Sequence, residues 1–194
     1  RFMQDGWDVK ALHRRIVLSD TYCQSSRGPA DASLLAKVNQ VDPENRLLWR
    51  MNQRRLTFEE LRDQLFADTN ELSKDVGGKP ADIFAGSFRR RTLYGQVDRQ
   101  FLPSTLRVFD FANPDLNIPQ RSDTTVPQQA LFCMNSQFVM ECAQTLAERA
   151  PSVDALYAAV LARSPTEEER ALASEFLDAA PSSPRTAWHY GHGS

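Results

Sequence analysis

Leu56-Thr57-Phe58-Glu59-Glu60-Leu61-Arg62-Asp63-Gln64-Leu65 reads as a helix that carries its own start signal. Thr57 and Glu60 stand three residues apart, the spacing at which each side chain caps the other's backbone N–H. Leu56 and Leu61 can staple the same turn, and Leu61, Leu65 and Leu72 continue one apolar face at helical separations. The reading it sets for the whole chain is mainly α, an irregular multi-helix domain with long ordered loops and at most one short β element.

The same start signals recur on both sides. Upstream, Asp8 is a plausible N-cap, Trp7 and Leu12 occupy the staple positions, and Val9, Leu12 and Ile16 line one face up to about Ser19. Residues 25 to 33 are rich in Ser, Gly and Pro and read as a loop. Val41-Asp42-Pro43-Glu44-Asn45-Arg46-Leu47-Leu48-Trp49 reads as a turn entering a short helix, with Pro43 in its first turn. Gly77, Gly78 and Pro80 mark another loop. Thr92 to Val97 has some strand character, which Gly95 and the arginine-rich flanks weaken.

Downstream of a long loop over residues 98 to 124, Thr125-x-x-Gln128 with Pro127 is a further helix start. A second helix begins at Asn135 or Ser136, with Val139, Cys142 and Leu146 on one face, and ends before Pro151. Ser152 caps a third, with Val153, Leu156 and Val160 inward. Thr166-x-x-Glu169 opens a fourth, with Leu172 and Phe176, after the tight turn Arg163-Ser164-Pro165. Pro181-Ser182-Ser183-Pro184 has the composition of a linker. The expected organisation is one helical domain over 1–180, then a linker and the start of a following domain over 181–194. The chain opens on Arg1 without an initiator Met, and is expected to be a piece of a longer protein whose targeting signals lie elsewhere.

Composition narrows the function classes. With 194 residues, 41% of them hydrophobic, the chain can bury a sizeable core. No apolar run approaches the roughly 18 residues of a membrane span, and a mean hydropathy of -0.48 agrees. A net charge of -2 gives no global field to draw nucleic acid, so neither nucleic acid nor membrane insertion is expected. Charge is uneven all the same. Residues 86 to 107 hold five arginines against Asp98 alone, whereas residues 150 to 180 set two arginines against six acids. Such an asymmetry suits contact within a protein.

Three cysteines, Cys23, Cys133 and Cys142, form no Cys-x-x-Cys pattern, so neither a zinc site nor covalent haem attachment is expected here. Cys133 and Cys142 sit among apolar helix positions, where an unpaired cysteine serves as a small hydrophobe; one disulfide is the alternative. No Gly-x-Ser-x-Gly is present, and His13 lies on the first helix, where packing explains it. His189 and His192 lie in the tail, three apart.

The candidate site is the polar set Arg90, Arg91, Tyr94, Arg99, Asp110, Asp115 and Arg121. Converging on one cleft, the arginines would clamp a sulfate, carboxylate or sugar acid through paired hydrogen bonds, and Tyr94 would stack on a sugar ring. The other reading is a buried network of ion pairs and hydrogen bonds that anchors long loops across the helices. Asp110 and Asp115 are the weak candidates for a catalytic carboxylate pair of the kind glycoside hydrolysis needs. Gln128, Gln129 and Asn135 read as caps and helix-to-loop bonds.

Several motifs occurring in order carry a resemblance. They are Trp7-Asp8-Val9-Lys10-Ala11-Leu12-His13-Arg14, Tyr22-x-Gln24-Ser25-Ser26, Asp42-Pro43-Glu44-Asn45-Arg46-Leu47-Leu48-Trp49-Arg50 and the block from residue 90 to 135. Over about residues 7 to 178 the chain resembles the domain of unknown function fifteen-fifty-three, also called the planctomycete PSD-one domain. Cys23, Cys133 and Met134 depart from the residue types expected there. The resemblance implies a C-terminal helical domain of exported, planctomycete, cytochrome-c-associated multidomain proteins. It implies no cofactor in this fragment, with haem in a separate domain of the parent. The implied partners are the neighbouring domains of the parent chain, and the arginine-rich cleft read from the residues adds polysaccharide as the other expected partner. The expectation is therefore a non-catalytic accessory domain. A polysaccharide-directed hydrolase using Asp110 or Asp115, and a docking partner of a cytochrome c domain, are the alternatives.

Overall fold

The computed structural model describes residues 2–98 and 100–179; Arg99 and the 180–194 tail, with His189 and His192, lie outside the described residues. The chain divides into two compact units, Arg1–Arg55 and Leu56–Ser194. Eight α-helices and one 3-10 turn make up the regular structure among the described residues, and no named strand does. The fold is mainly α.

In the first unit, α1 (Val9–Val17) starts where expected, its Asp8 side chain accepting from Ala11 N–H at 3.0 Å. Trp7, at φ +62°, packs edge-on to Phe2. Residues 32 to 41, given no helix by the sequence reading, form α2 (Ala32–Val41). Asp31 caps it, accepting from Ser33 and Leu34, and these hydrogen bonds, led by the Ser33 hydroxyl, hold its carboxyl below the usual range. Its loop-like neighbours hid the helix, because the cap is itself a loop residue.

The short helix expected after Pro43 is a correction in the other direction: residues 42 to 50 are turns. Asp42 is buried and its two oxygens accept from Arg46 and Leu47 N–H at 2.9 and 2.7 Å, competing with helical bonding. Asn45, also buried, turns at φ +55° and bonds the Arg50 carbonyl and Asn52. Trp49 donates to the Asp42 carbonyl at 2.9 Å and lies over Gly28, where an added Cβ would come 2.5 Å from its ring. Among the described residues of this unit no hydrophobic side chain is buried.

The second unit holds the core. α3 (Phe58–Asp68) has the full capping box, Glu60 accepting from Thr57 N–H at 2.8 Å and Thr57 Oγ1 accepting from Glu60 N–H at 3.3 Å. Its buried face is Phe58, Arg62 and Phe66, not Leu61 and Leu65, which are half-buried. An arginine at the centre of the stripe hid the true periodicity. Phe58 packs with Ile83, Phe88, Leu102 and Leu106, ringed by Tyr94, Phe109, Phe111 and Phe132. Phe58, Phe109 and Phe132 stack at centroid distances of 5.3 to 5.8 Å, within the favourable aromatic range.

Thr92 to Val97, the segment with some strand character, holds a 3-10 turn, Thr92–Tyr94, flanked by isolated parallel bridges from Ser73 to Arg90 and from Ala81 to Gly95. The loop from 98 to 124 contains α4 (Ser104–Val108), which seats the fully buried Leu106. α5 (Pro127–Asn135) begins with Val126 as N-cap and Pro127 at the first helical position, so Thr125 is one residue too early to cap it. α6 (Gln137–Arg149) buries Cys142, and burial pushes that thiol's pKa up. Cys133, expected among apolar neighbours, is exposed, and all three cysteines are free.

α7 (Val153–Leu161) is capped by Ser152, and Ala162 turns the chain at φ +51° into α8 (Glu167–Ala179). Arg170 pairs with Asp154 across the two helices. Val160, expected to face inward, is exposed, and so are Leu172 and Phe176 of α8.

Candidate functional site

α3 divides the second unit into a sealed side and an open one. On the sealed side Arg62 is 3% exposed. Its guanidinium donates to the carbonyls of Phe88 and Arg90 and to Thr92 Oγ1. It lies between the rings of Phe66 and Phe88, 4.6 and 5.0 Å from their centroids. Desolvation lowers its pKa, and the Asp63 carboxylate 3.7 Å away offsets part of that. Asp63 in turn accepts from Thr92 N–H at 2.7 Å and Thr92 Oγ1 at 2.6 Å. Adjacent residues of one helix thus fix the 88–92 segment against α3.

On the open side runs a cleft of about 670 Å³, within the roughly 300–1,000 Å³ of ligand sites. Leu56, Leu93 and Val97, all exposed, contribute an aliphatic wall. Gly95 and Ile83 close its base, where a Cβ at residue 95 would fall 2.1 Å from Ile83 Cγ2. Polar groups enter from α3 as Glu59, Glu60 and Asp63, and from the loops as Arg91 and Arg121. Arg121 donates to Glu59 at 2.8 Å and covers the Phe111 ring at 4.6 Å. The Arg91 Nε lies 3.9 Å from Asp63 with its side chain 61% exposed.

The seven residues singled out from the sequence do not share this cleft. Arg91 and Arg121 line it. Arg90 stacks on Tyr94 at 4.4 Å and donates to the carbonyls of Lys79 and Gly77, tying the Gly77–Gly78 loop. Asp110, at φ +56°, accepts from Thr124 N–H at 2.8 Å and Thr124 Oγ1 at 2.9 Å. Asp115 is exposed, its backbone N–H engaged by Asn113. Arg99 lies outside the described residues. Gln129 is buried and bonds the Val108 and Thr124 carbonyls, the helix-to-loop role read for it.

Glu59, Asp63 and Leu93 escaped the sequence reading. The signal was there in part: Glu59 and Asp63 stand four apart on a helix with its own capping box, hence on one face. Glu60 was visible only as a capping residue. Among the described residues no group of three or more His, Cys, Asp or Glu is placed to hold a metal ion, and no helix is long and apolar enough to cross a membrane.

A family model described as PSD1, protein of unknown function (DUF1553), matches residues 1–177, and the chain belongs to that family. No curated protein and no solved structure matches it.

Proposed function

We propose that this family member is a non-catalytic interaction domain of an exported multidomain protein, with the α3 cleft as its binding site. The observation that carries the reading is the cleft itself. Exposed aliphatic side chains and a few charged groups converge in one concavity beside the clamp of buried Arg62 and half-buried Asp63. A concave, largely apolar surface with few oriented polar groups is what recognition requires. Against the hydrolase alternative stands the engagement of Asp110, whose two oxygens accept from Thr124.

The test is an NMR titration of the whole chain with short peptides and with neutral and acidic oligosaccharides, followed at the backbone amides. Shifts clustered on the α3 cleft, from Leu56 to Val97, are expected with at least one probe. Shifts confined to α7 and α8 would refute the reading, as would release of reducing sugar that Asp110→Asn abolishes.

A further inference from the structure

α7 and α8 bury no residue of their own, although both are rich in apolar side chains. On α8 the half-buried side is Glu169, Arg170 and Ala173. Leu172 and Phe176 lie off that side, 59% and 67% exposed, and their spacing of four puts them on one face. Ala179, also exposed, continues the stripe. With Leu172 and Ala179 at d and Phe176 at a of a heptad, Glu168 and Glu175 both fall at g, bordering the apolar seam. An apolar stripe of this kind is the face one helix offers to another.

Charge decides which kind of helix fits. Between Val153 and Ala179 six acids stand against two arginines. Both arginines are already held, Arg163 by Glu169 and Arg170 by Asp154, and Glu167 stands near Arg170. Glu168, Glu175 and Asp178 form no ion pair among the described residues. A second copy of this hairpin would bring acids toward acids, which repel.

From this complementarity we infer that the Leu172 and Phe176 face of α8 docks an amphipathic helix of a partner protein that carries lysine or arginine beside its apolar stripe. Leu172 and Phe176 pack on the partner's apolar positions, and Glu168 and Glu175 receive its cations. This surface is separate from the α3 cleft. It requires amide shifts on α8, where the cleft reading requires them between Leu56 and Val97, so either can fail alone.

Fluorescence anisotropy of the whole chain tests it with two dye-labelled, end-blocked helical peptides, both with Leu at a and d, one with Lys and the other with Glu at e and g. The Lys peptide is expected to bind at least about tenfold more tightly, an advantage that shrinks as salt rises. The double variant Glu168→Lys, Glu175→Lys should reverse the preference. Phe176→Ser should weaken the Lys peptide about fivefold or more. All three positions are exposed, where substitution disturbs folding little, and circular dichroism checks each variant. Equal affinity for the two peptides overturns the inference, as does an unchanged preference in the folded double variant. Should a variant not fold, the amide shifts that the Lys peptide causes on the unsubstituted chain decide, on α8 for the inference and elsewhere against it.

Discussion

Arg62 shows how one side chain can anchor a fold built largely from loops. It is buried to 3% exposure, stacked between two phenylalanines, and satisfies two carbonyls and a hydroxyl of the 88–92 segment. Removing it leaves the two carbonyls without this donor and takes a nearby cation from Asp63, which keeps its bonds from Thr92. Arg62→Met is therefore expected to cost about 3 kcal/mol in urea unfolding, with Arg62→Lys a poor rescue because an ammonium cannot span the same three acceptors. Gly95 is the complementary case, where the absence of a side chain matters. A Cβ there would sit 2.1 Å from Ile83 Cγ2 and 2.9 Å from the Thr92 carbonyl oxygen. Gly95→Ala should lower stability by about 1–3 kcal/mol through overpacking, read as a shift of the unfolding midpoint at unchanged m-value.

At the scale of elements, capping chemistry carries the helix starts. Thr57 and Glu60 satisfy each other's backbone donors at the head of α3, so Thr57→Ala should cost about 1 kcal/mol, checked by thermal unfolding. The head of α8 repeats the device and adds a charge. Glu169 accepts from Thr166 N–H and receives both Arg163 guanidinium nitrogens at 2.7 Å, and Arg163 foremost holds its carboxyl down at about 2. A folded pKa below the unfolded one stabilises the native state above the unfolded value. That contribution fades as pH falls from the ordinary value of 4.5 toward about 2. An NMR titration should show the Glu169 carboxylate still ionised at pH 3.5, and Arg163→Gln should move its midpoint up. Both devices were legible, because a capping box is local and its spacing is visible in sequence. α2 was not, since Asp31 caps it from within a Ser/Gly/Pro-rich run; nor was the turn at 42–50, which the burial of Asp42 and Asn45 selects over a helix.

Across the whole molecule the two units differ in kind. All buried hydrophobic side chains among the described residues belong to the second, from Phe58 to Ala150, whereas the first buries only Asp42 and Asn45. Amide exchange should accordingly be slowest in α3 and α6 and fastest in α1 and α2, a ranking that hydrogen–deuterium exchange would reverse if the first unit had the stronger core. The candidate site follows the same division of information. Arg91 and Arg121 were named from sequence, but Glu59, Asp63 and Leu93, which bring carboxylates and aliphatic surface to the cleft, were not. By itself the sequence determined the helical class, most helix starts and the family, because caps, periodicity and motif order are local properties of the chain. Only the tertiary structure decided that Arg62 is interior, that Arg90 and Asp110 tie loops, and that Glu59 meets Arg121. Burial and pairing depend on residues as far apart as Glu59 and Arg121, and no local pattern encodes that meeting.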